Sequence, residues 1–404
     1  MAAFAHGRSV EQHDHRATRP VGRRPLMPPV LPGSTIGILG GGQLGRMTAM
    51  AARTLGYNVH VLDPDGNCAA SPVADRVVAA PFDDADAAAD LAAQCDVVTL
   101  EIEHIGADAI AAANRHAPVR PGADILAMVQ DRFEQKRWLA ANGFPIGAYR
   151  EIRRGAELEA AARELGPLFV KASRGGYDGR SQARVAKPAE AAAAWTSLSE
   201  RQSVAEQALN LQAELSVMVA RRPSGEVRAY PAALNHHERQ ILSWSVIPAP
   251  LPRSVTAAAD EIARGIAEGL ALEGILAVEM FLLTNNTLLV NELAPRPHNS
   301  YHETEVACST SQFEQIVRAV CDLPLGDPTV LRPGAIFNLF GELWQDGPPR
   351  FESALAKPGV RLHLYGKRGA RAGRKMGHLS AVGSTPEDAL ERVRAAAAAV
   401  GAVA

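Results

Sequence analysis

The chain has 404 residues, of which 47% are apolar and 21% charged, enough to bury a large core and to form two or three domains. A formal net charge of -2 gives no sign of a duplex-binding surface or a polybasic membrane patch, while leaving local basic clusters open, so no nucleic-acid or membrane partner is expected. No apolar run approaches the roughly 20 residues needed to span a bilayer. The four cysteines, Cys68, Cys95, Cys308 and Cys321, form no CxxC pair and read as packing residues of a reducing, cytoplasmic compartment.

Residues 1–33 begin with the polar, Pro/Arg-rich "MAAFAHGRSVEQHDHRATRPVGRRPLMPP", which lacks the apolar segment of a signal peptide and is expected to be disordered. It reads as a tail or an upstream start, with Met27 an equal candidate for initiation; its His6, His13 and His15 leave a metal-binding tail as the minor alternative. Organised sequence starts at "STIGILGGGQLGRMTAMAARTLGYNVHVLDPD". The pattern predicts a buried strand over 35–39, a tight turn over 40–42, a helix over 43–55 ended by Gly56, and a strand over 58–62, together a βαβ unit. Gly40, Gly42 and Gly45 fit GxGxxG, with Asp63 near the place of a ribose-binding acid. An NAD(P) site, a site for another phosphate-bearing or polar ligand, and mere tight packing all remain open. A further apolar strand over 96–100 presents Glu101 and Glu103 at its C-terminal end, where open α/β sheets bind ligands, unless this is only a solvated strand end.

"QDRFEQKRWLAANGFP" predicts an amphipathic helix closed by Gly143 and Pro145. In "GPLFVKASRGGYDGRSQARV" a strand over 168–171 ends in Lys171, and a Gly-rich basic loop follows. Such a loop suits a lid over phosphates with Lys171 as a point charge; a surface hairpin is the alternative. "SVAEQALNLQAELSVMVAR" carries Glu206 and, eight positions on, Glu214, a spacing open to a ribose acceptor beside an adenine-reading linker. In "GILAVEMFLLTNNTLLVNELAPRPHNS" two apolar strands meet at the turn TNN, so Glu279 and Glu292 converge. Two hard carboxylates on rigid strands suit Mg²⁺ completed by phosphate oxygens, in preference to a structural ion pair.

In this order the motifs "GGGQLGRM", "EIEH", "QDRFEQK", "VKASRGGYDGRSQ", "AVEMF", "NELAPRPHNS", "TSQFEQ" and "LYGKRGARAGRKMGHL" resemble the ATP-grasp superfamily, specifically the 5-(carboxyamino)imidazole ribonucleotide synthase family of purine biosynthesis. The resemblance runs from about residue 35 almost to the C-terminus. It implies an α/β, ATP-grasp fold of three domains: a Rossmann-like parallel sheet over 34–130, a central lid domain over 131–204, and a C-terminal domain over 205–404 that ends in a substrate-phosphate subdomain. It implies a ligase in which ATP and bicarbonate give carboxyphosphate, which carboxylates the amine of 5-aminoimidazole ribonucleotide, with Mg²⁺ as cofactor and a homodimer as the assembly.

The resemblance also distributes roles. Arg132 and Lys171 look like cations on the ATP phosphates, covered by the lid Gly176, Tyr177, Asp178, Gly179, Arg180, Ser181 and Gln182. Glu206, Gln207, Ala208 and Leu209 resemble the adenine-reading linker, Glu214 the ribose acceptor, Glu279 and Glu292 the metal ligands, with Asn291 beside ATP. Arg296, His298 and Asn299, fixed by Pro295 and Pro297, resemble a cradle for bicarbonate and carboxyphosphate. Gln43, Leu44, Glu101, Glu103, Tyr177, Arg180 and His237 are expected around the imidazole substrate, and Lys367, Arg374 and Lys375 on its 5'-phosphate. The chain departs from the family where glycine is usual, at Ser181 and Tyr301, in the acidic "HETEVA", and at Leu234; these departures predict an active enzyme with altered lid mobility and altered fit near bicarbonate. Rival readings are another ATP-grasp carboxylase or ligase, a nucleotide-binding regulatory module, and an NAD-dependent oxidoreductase.

Overall fold

The computed structural model describes residues 27–175 and 182–402. Most of the expected leader, and lid residues Gly176, Tyr177, Asp178, Gly179, Arg180 and Ser181, lie outside the described residues. The end of the leader is tied down: the Val30 N–H donates to the Cys321 carbonyl at 2.9 Å, and the Tyr57 hydroxyl donates to the Val30 carbonyl at 2.7 Å. Organised chain therefore begins ahead of the expected boundary at 34.

β1 (Thr35–Leu39), β2 (Asn58–Asp63), β3 (Arg76–Ala79) and β4 (Val97–Leu100) form a parallel sheet in the order β3-β2-β1-β4. β1 and β4 are nearly all apolar because both faces are covered. On one face Ile36 and Ile38 pack with Ala49 and Ala52 of α1 (Gln43–Thr54); on the other Leu39 and Leu100 pack with α2 (Ala85–Ala92) and α3 (Ala107–Ala113). α4 (Ala123–Val129) and α5 (Arg132–Ala141) lead onward, with Asp131 capping α5 by accepting from the Phe133 N–H.

β5 (Tyr149–Ile152), β6 (Leu168–Ala172), β7 (Gln182–Val185) and β8 (Ser203–Gln207) make a small antiparallel sheet, order β5-β8-β6-β7, backed by α6 (Gly155–Leu165) and α7 (Ala191–Ser197). A nine-stranded antiparallel sheet follows. Its strands are β9 (Leu211–Arg221), β10 (Val227–Ala229), β11 (Ala233–Glu238), β12 (Ile241–Ile247), β13 (Gly274–Leu283), β14 (Leu288–Ala294), β15 (Gly334–Phe340), β16 (Val360–Leu364) and β17 (Lys375–Val382). The order is β14-β13-β9-β11-β12-β15-β17-β16, with β10 on β9.

Side chains alternate across β9 and β13, so Val217 and Val278 face α8 (Arg253–Gly269) while Met218 and Ala277 face α10 (Gln312–Val320). The short α9 (Thr304–Ala307) precedes α10, and α11 (Phe351–Leu355) and α12 (Pro386–Ala399) cover the β15–β17 end. β15 pairs with β12, so the expected terminal subdomain extends the same sheet.

Candidate active site

The two antiparallel sheets enclose a cavity of about 740 Å³. Lys171, Gln182 and Glu206 line it from the small sheet; Glu214, His237, Glu279, Asn291 and Glu292 line it from the large one. Glu103 closes one end together with Arg296, His298 and Asn299. Residues spread over more than 170 positions of sequence thus meet in one space.

The β13–β14 hairpin sets Glu279 opposite Glu292, next to a register shift at Met280. Opposed residues on paired strands have Cβ atoms ~4.5–5.5 Å apart, so the two carboxylates leave the sheet together. Glu292 Oε2 lies 3.1 Å from Arg132 Nη1, and Glu279 Oε1 lies 3.0 Å from His298 Nε2. Burial pushes the Glu279 carboxyl up, but His298, and behind it His237 and Arg296, outweigh burial and hold it below the usual carboxylate range. Beside the pair, Asn291 Oδ1 is buried without a hydrogen-bond partner. Such an atom costs about 1–3 kcal/mol, and a hard cation or a ligand donor would relieve it. The corner therefore fits Mg²⁺ held by Glu279 and Glu292.

Lys171 Nζ lies 2.7 Å from Glu206 Oε2, and Lys136 Nζ lies 3.1 Å from Glu206 Oε1. Burial raises the Glu206 carboxyl, but the two lysines outweigh it and bring it to about 2. Lys136 also donates to the Asn291 carbonyl at 3.2 Å. Sequence reasoning missed this residue, although four positions after Arg132 on a helix marks the same face. Beyond Glu206 the chain runs at the cavity edge, with the Gln207 N–H on the Ala148 carbonyl, the Ala208 N–H on the Pro167 carbonyl, and Leu209 lining the cavity. Glu214 Oε2 is 3.0 Å from His237 Nδ1, and this contact raises the His237 imidazole although burial pulls it down.

The segment after β14 is held from behind. The His298 N–H donates to Gln312 Oε1 at 2.8 Å, and Gln312 Nε2 donates back to the His298 carbonyl at 2.8 Å. His298 Nδ1 meets the Ser300 hydroxyl at 2.8 Å, so Ser300 and Glu279 fix the ring from both nitrogens. Asn299 Nδ2 donates to Asn338 Oδ1 at 3.0 Å, and Arg296 Nε lies 2.7 Å from Glu103 Oε1. Gln312, Ser300 and Asn338 were not among the expected site residues; "TSQFEQ" held the first only as part of a motif.

Residues 137–313 match the ATP-grasp domain family, residues 33–130 the ribonucleotide synthetase preATP-grasp domain, and residues 334–392 the phosphoribosylaminoimidazole carboxylase C-terminal domain. The chain is 40% identical over 363 residues to the N5-carboxyaminoimidazole ribonucleotide synthase of Bacillus subtilis, covering 89% of this chain and 94% of that one. The chain belongs to the N5-carboxyaminoimidazole ribonucleotide synthase family. The synthase of Brucella melitensis is 41% identical over 354 residues, covering 87% and 97%. Among solved structures, an ADP complex of an N5-carboxyaminoimidazole ribonucleotide synthetase superposes with a TM-score of 0.86 at 39% identity, covering 92% of this chain and 98% of that one. The Aspergillus clavatus synthase in complex with ADP and 5-aminoimidazole ribonucleotide gives a TM-score of 0.85 at 32% identity, covering 92% and 99%. The chain is an ATP-grasp ligase by this membership.

Within this synthase fold, several expected substrate residues have other occupations. Glu101 accepts from the Gly42 N–H at 2.7 Å and the Gly45 N–H at 2.8 Å, and Asp63 accepts from the Gly41 N–H at 2.8 Å. The N-terminus of α1, where a dinucleotide phosphate would sit, is filled by the chain's own carboxylate. A Cβ at Gly40 or Gly42 would fall 2.4 Å from the Glu101 side chain, and Gly40 has φ +106°, so tight packing accounts for the glycines. Burial raises Glu101, with Arg296 and Lys367 near it; its carboxylate braces the turn.

Leu44 packs with Met47, Phe313 and Tyr365 and is a core residue. Gln43, Lys367 and Arg374 stand outside the cavity lining, while Lys375 belongs to it. Lys367 Nζ is 5.5 Å from the Tyr365 ring centroid, and Arg374 Nη1 donates to the Gly369 carbonyl at 2.9 Å. Tyr301 does not line the cavity: its ring is fully buried, and its hydroxyl donates to the Ser216 and Pro231 carbonyls at 2.7 and 3.0 Å. The side chain belongs to the core under the sheet. Leu234 likewise packs between two apolar clusters.

Proposed function

We propose that the protein carboxylates the amine of 5-aminoimidazole ribonucleotide with ATP and bicarbonate, through carboxyphosphate, giving N5-carboxyaminoimidazole ribonucleotide, ADP and phosphate. The observation that carries the reading is the opposition of Glu279 and Glu292, where Arg132 and Lys171 meet the cradle of Arg296 and His298. A bicarbonate oxygen attacks the γ-phosphorus, the bond to the β-phosphate oxygen breaks, and ADP leaves. The amine nitrogen then attacks the carboxyl carbon, the carbon–oxygen bond to phosphorus breaks, and phosphate leaves as the amine loses a proton.

Glu279 and Glu292 would hold Mg²⁺, which when bound neutralises charge on the phosphate oxygens. Arg132 and Lys171 position the phosphates, residues Glu206 to Leu209 the adenine, and Glu214 with His237 the ribose. Each cation holds an acid in the free protein, so ligand binding exchanges partners without leaving a buried charge alone. Arg296 and His298 aim fixed donors at the charge that grows on carboxyphosphate; Asn299, tied to Asn338, keeps their backbone in place. Lys375, with Lys367 and Arg374 on the adjoining loop, takes the 5'-phosphate, and Gln43 and Glu103 border the same side. The family resemblance assigns residues Gly176 to Gln182 to the ATP phosphates, and Tyr177 and Arg180 also to the imidazole substrate. A cytoplasmic homodimer belongs to the same reading.

The test is phosphate release from Mg-ATP and bicarbonate, with and without 5-aminoimidazole ribonucleotide, in wild type and Lys367→Ala. The reading expects release that the ribonucleotide stimulates and the substitution weakens through KM. Release indifferent to the ribonucleotide would point to a different ATP-grasp ligase, and ATP binding without release to a regulatory module.

A further inference from the structure

Away from the cavity, β16 and β17 set His363 directly opposite His378, with the rings stacked and their centroids 4.5 Å apart. Glu305 of α9 approaches the same point, with Oε2 3.3 Å from His363 Nε2. One ligand atom from each of the three residues lies within 4.8 Å of the other two. Ligands held ~2.0–2.2 Å from a tetrahedral Zn²⁺ stand ~3.4 Å from one another, and Glu305 Oε2 and His363 Nε2 already stand 3.3 Å apart.

Unmet hydrogen-bonding capacity points the same way. Glu305 Oε2 and His378 Nε2 are both buried atoms without a hydrogen-bond partner, and His378 is a fully buried residue. The Tyr365 hydroxyl occupies His378 Nδ1 at 2.8 Å, which leaves Nε2 as the nitrogen turned to the cluster. An outer partner on the second nitrogen is the usual support of a metal-bound imidazole. His302 stands behind, its ring 4.8 Å from that of His378 and its Nδ1 accepting from Gln312 Nε2 at 3.0 Å.

The one charged side chain acting on both Glu305 and His363 is Arg361. Burial pushes the Glu305 carboxyl up to about 7, even with Arg361 acting against it. Burial, joined by Arg361, lowers the His363 imidazole, and burial, joined by His302 and His363, lowers His378. An ordinary ion pair needs a protonated histidine here, which these surroundings oppose.

We propose that Glu305, His363 and His378 form a second metal site, for a first-row dication that takes imidazole nitrogen, of the Zn²⁺ type. Two nitrogens and one carboxylate do not suit Mg²⁺, which takes oxygen ligands, so the site is distinct from the Glu279/Glu292 pair. The ion would clip α9, which follows the cradle in the chain, to the β16–β17 edge of the sheet.

The test titrates metal-stripped full-length protein with Co²⁺ and then Zn²⁺ at saturating Mg²⁺. One equivalent should bind tightly, give visible ligand-field absorption that Zn²⁺ displaces, and raise the unfolding temperature. Glu305→Gln and, separately, His363→Asn should weaken that binding by more than the ~10–100-fold typical of losing an outer partner. His363 is 28% exposed, so the second variant keeps the test alive should the first fail to fold. Absence of a tight equivalent would overturn the proposal. So would an equivalent that both variants retain, which would belong to His6, His13 and His15 or to another locus.

Discussion

Replacing Glu206 by glutamine probes the ion cluster at the back of the cavity, since the amide imitates the neutral carboxyl. Glu206 is 13% exposed, Lys136 6% and Lys171 16%, so solvent screens these charges weakly. The two lysines, against the cost of burial, bring the acid from 4.5 to about 2. At ~1.4 kcal/mol per tenfold change in proton affinity, that displacement favours the charged form by about 3 kcal/mol, close to the ~3–5 kcal/mol expected when one partner leaves a buried pair. The folded value lies below the unfolded one, so this stability is fully present above about pH 4.5 and is lost as the pH falls towards about 2. Urea unfolding of wild type and Glu206→Gln should therefore differ by about 3 kcal/mol at pH 7 and by about half that at pH 3. ATP KM should rise in the variant as Lys136 and Lys171 repel each other. A difference below ~1 kcal/mol at pH 7, or one that does not shrink on acidification, would refute the reasoning.

His298→Asn removes a preorganised donor and should lower kcat by roughly 10²–10³, with ATP KM nearly unchanged in steady-state assays. Glu292→Gln should raise the Mg²⁺ concentration needed for half-maximal phosphate release, and chelation should stop release in wild type. Tyr301→Phe strips the donor from two buried carbonyls and should cost about 1–3 kcal/mol of stability, with kcat unaffected in the same assays. The folded His237 lies above its usual value because Glu214 outweighs burial, so its contribution is complete below about pH 6.5 and fades as the pH rises through the folded value. The gap in melting temperature between wild type and Glu214→Gln should accordingly narrow from pH 6 to pH 9.

The opposition of Glu279 and Glu292 was legible because alternation and a short turn fix a hairpin from local sequence alone, and β13 and β14 pair as that pattern requires. Lys171 was legible as the cation ending an apolar strand. Long-range support was not: Gln312 reaches His298 across 14 positions and Asn338 reaches Asn299 across 39, and no periodicity encodes such contacts. The glycine turn left its readings open for a physical reason. Gly40, Gly42 and Gly45 give the same spacing whether a phosphate or Glu101 fills the helix N-terminus, and Glu101 lies 59 positions from Gly42. Tyr301 looked like an intrusion because sequence does not tell which side of the sheet a residue beyond a strand end will enter.

The central claim is that bicarbonate becomes linked to the γ-phosphoryl group before it meets the amine. Turnover with ¹⁸O-labelled bicarbonate, ATP and 5-aminoimidazole ribonucleotide tests it directly. Phosphate carrying one bicarbonate oxygen for each carboxylated product is the predicted result. Unlabelled phosphate formed at the same rate as product would contradict the account.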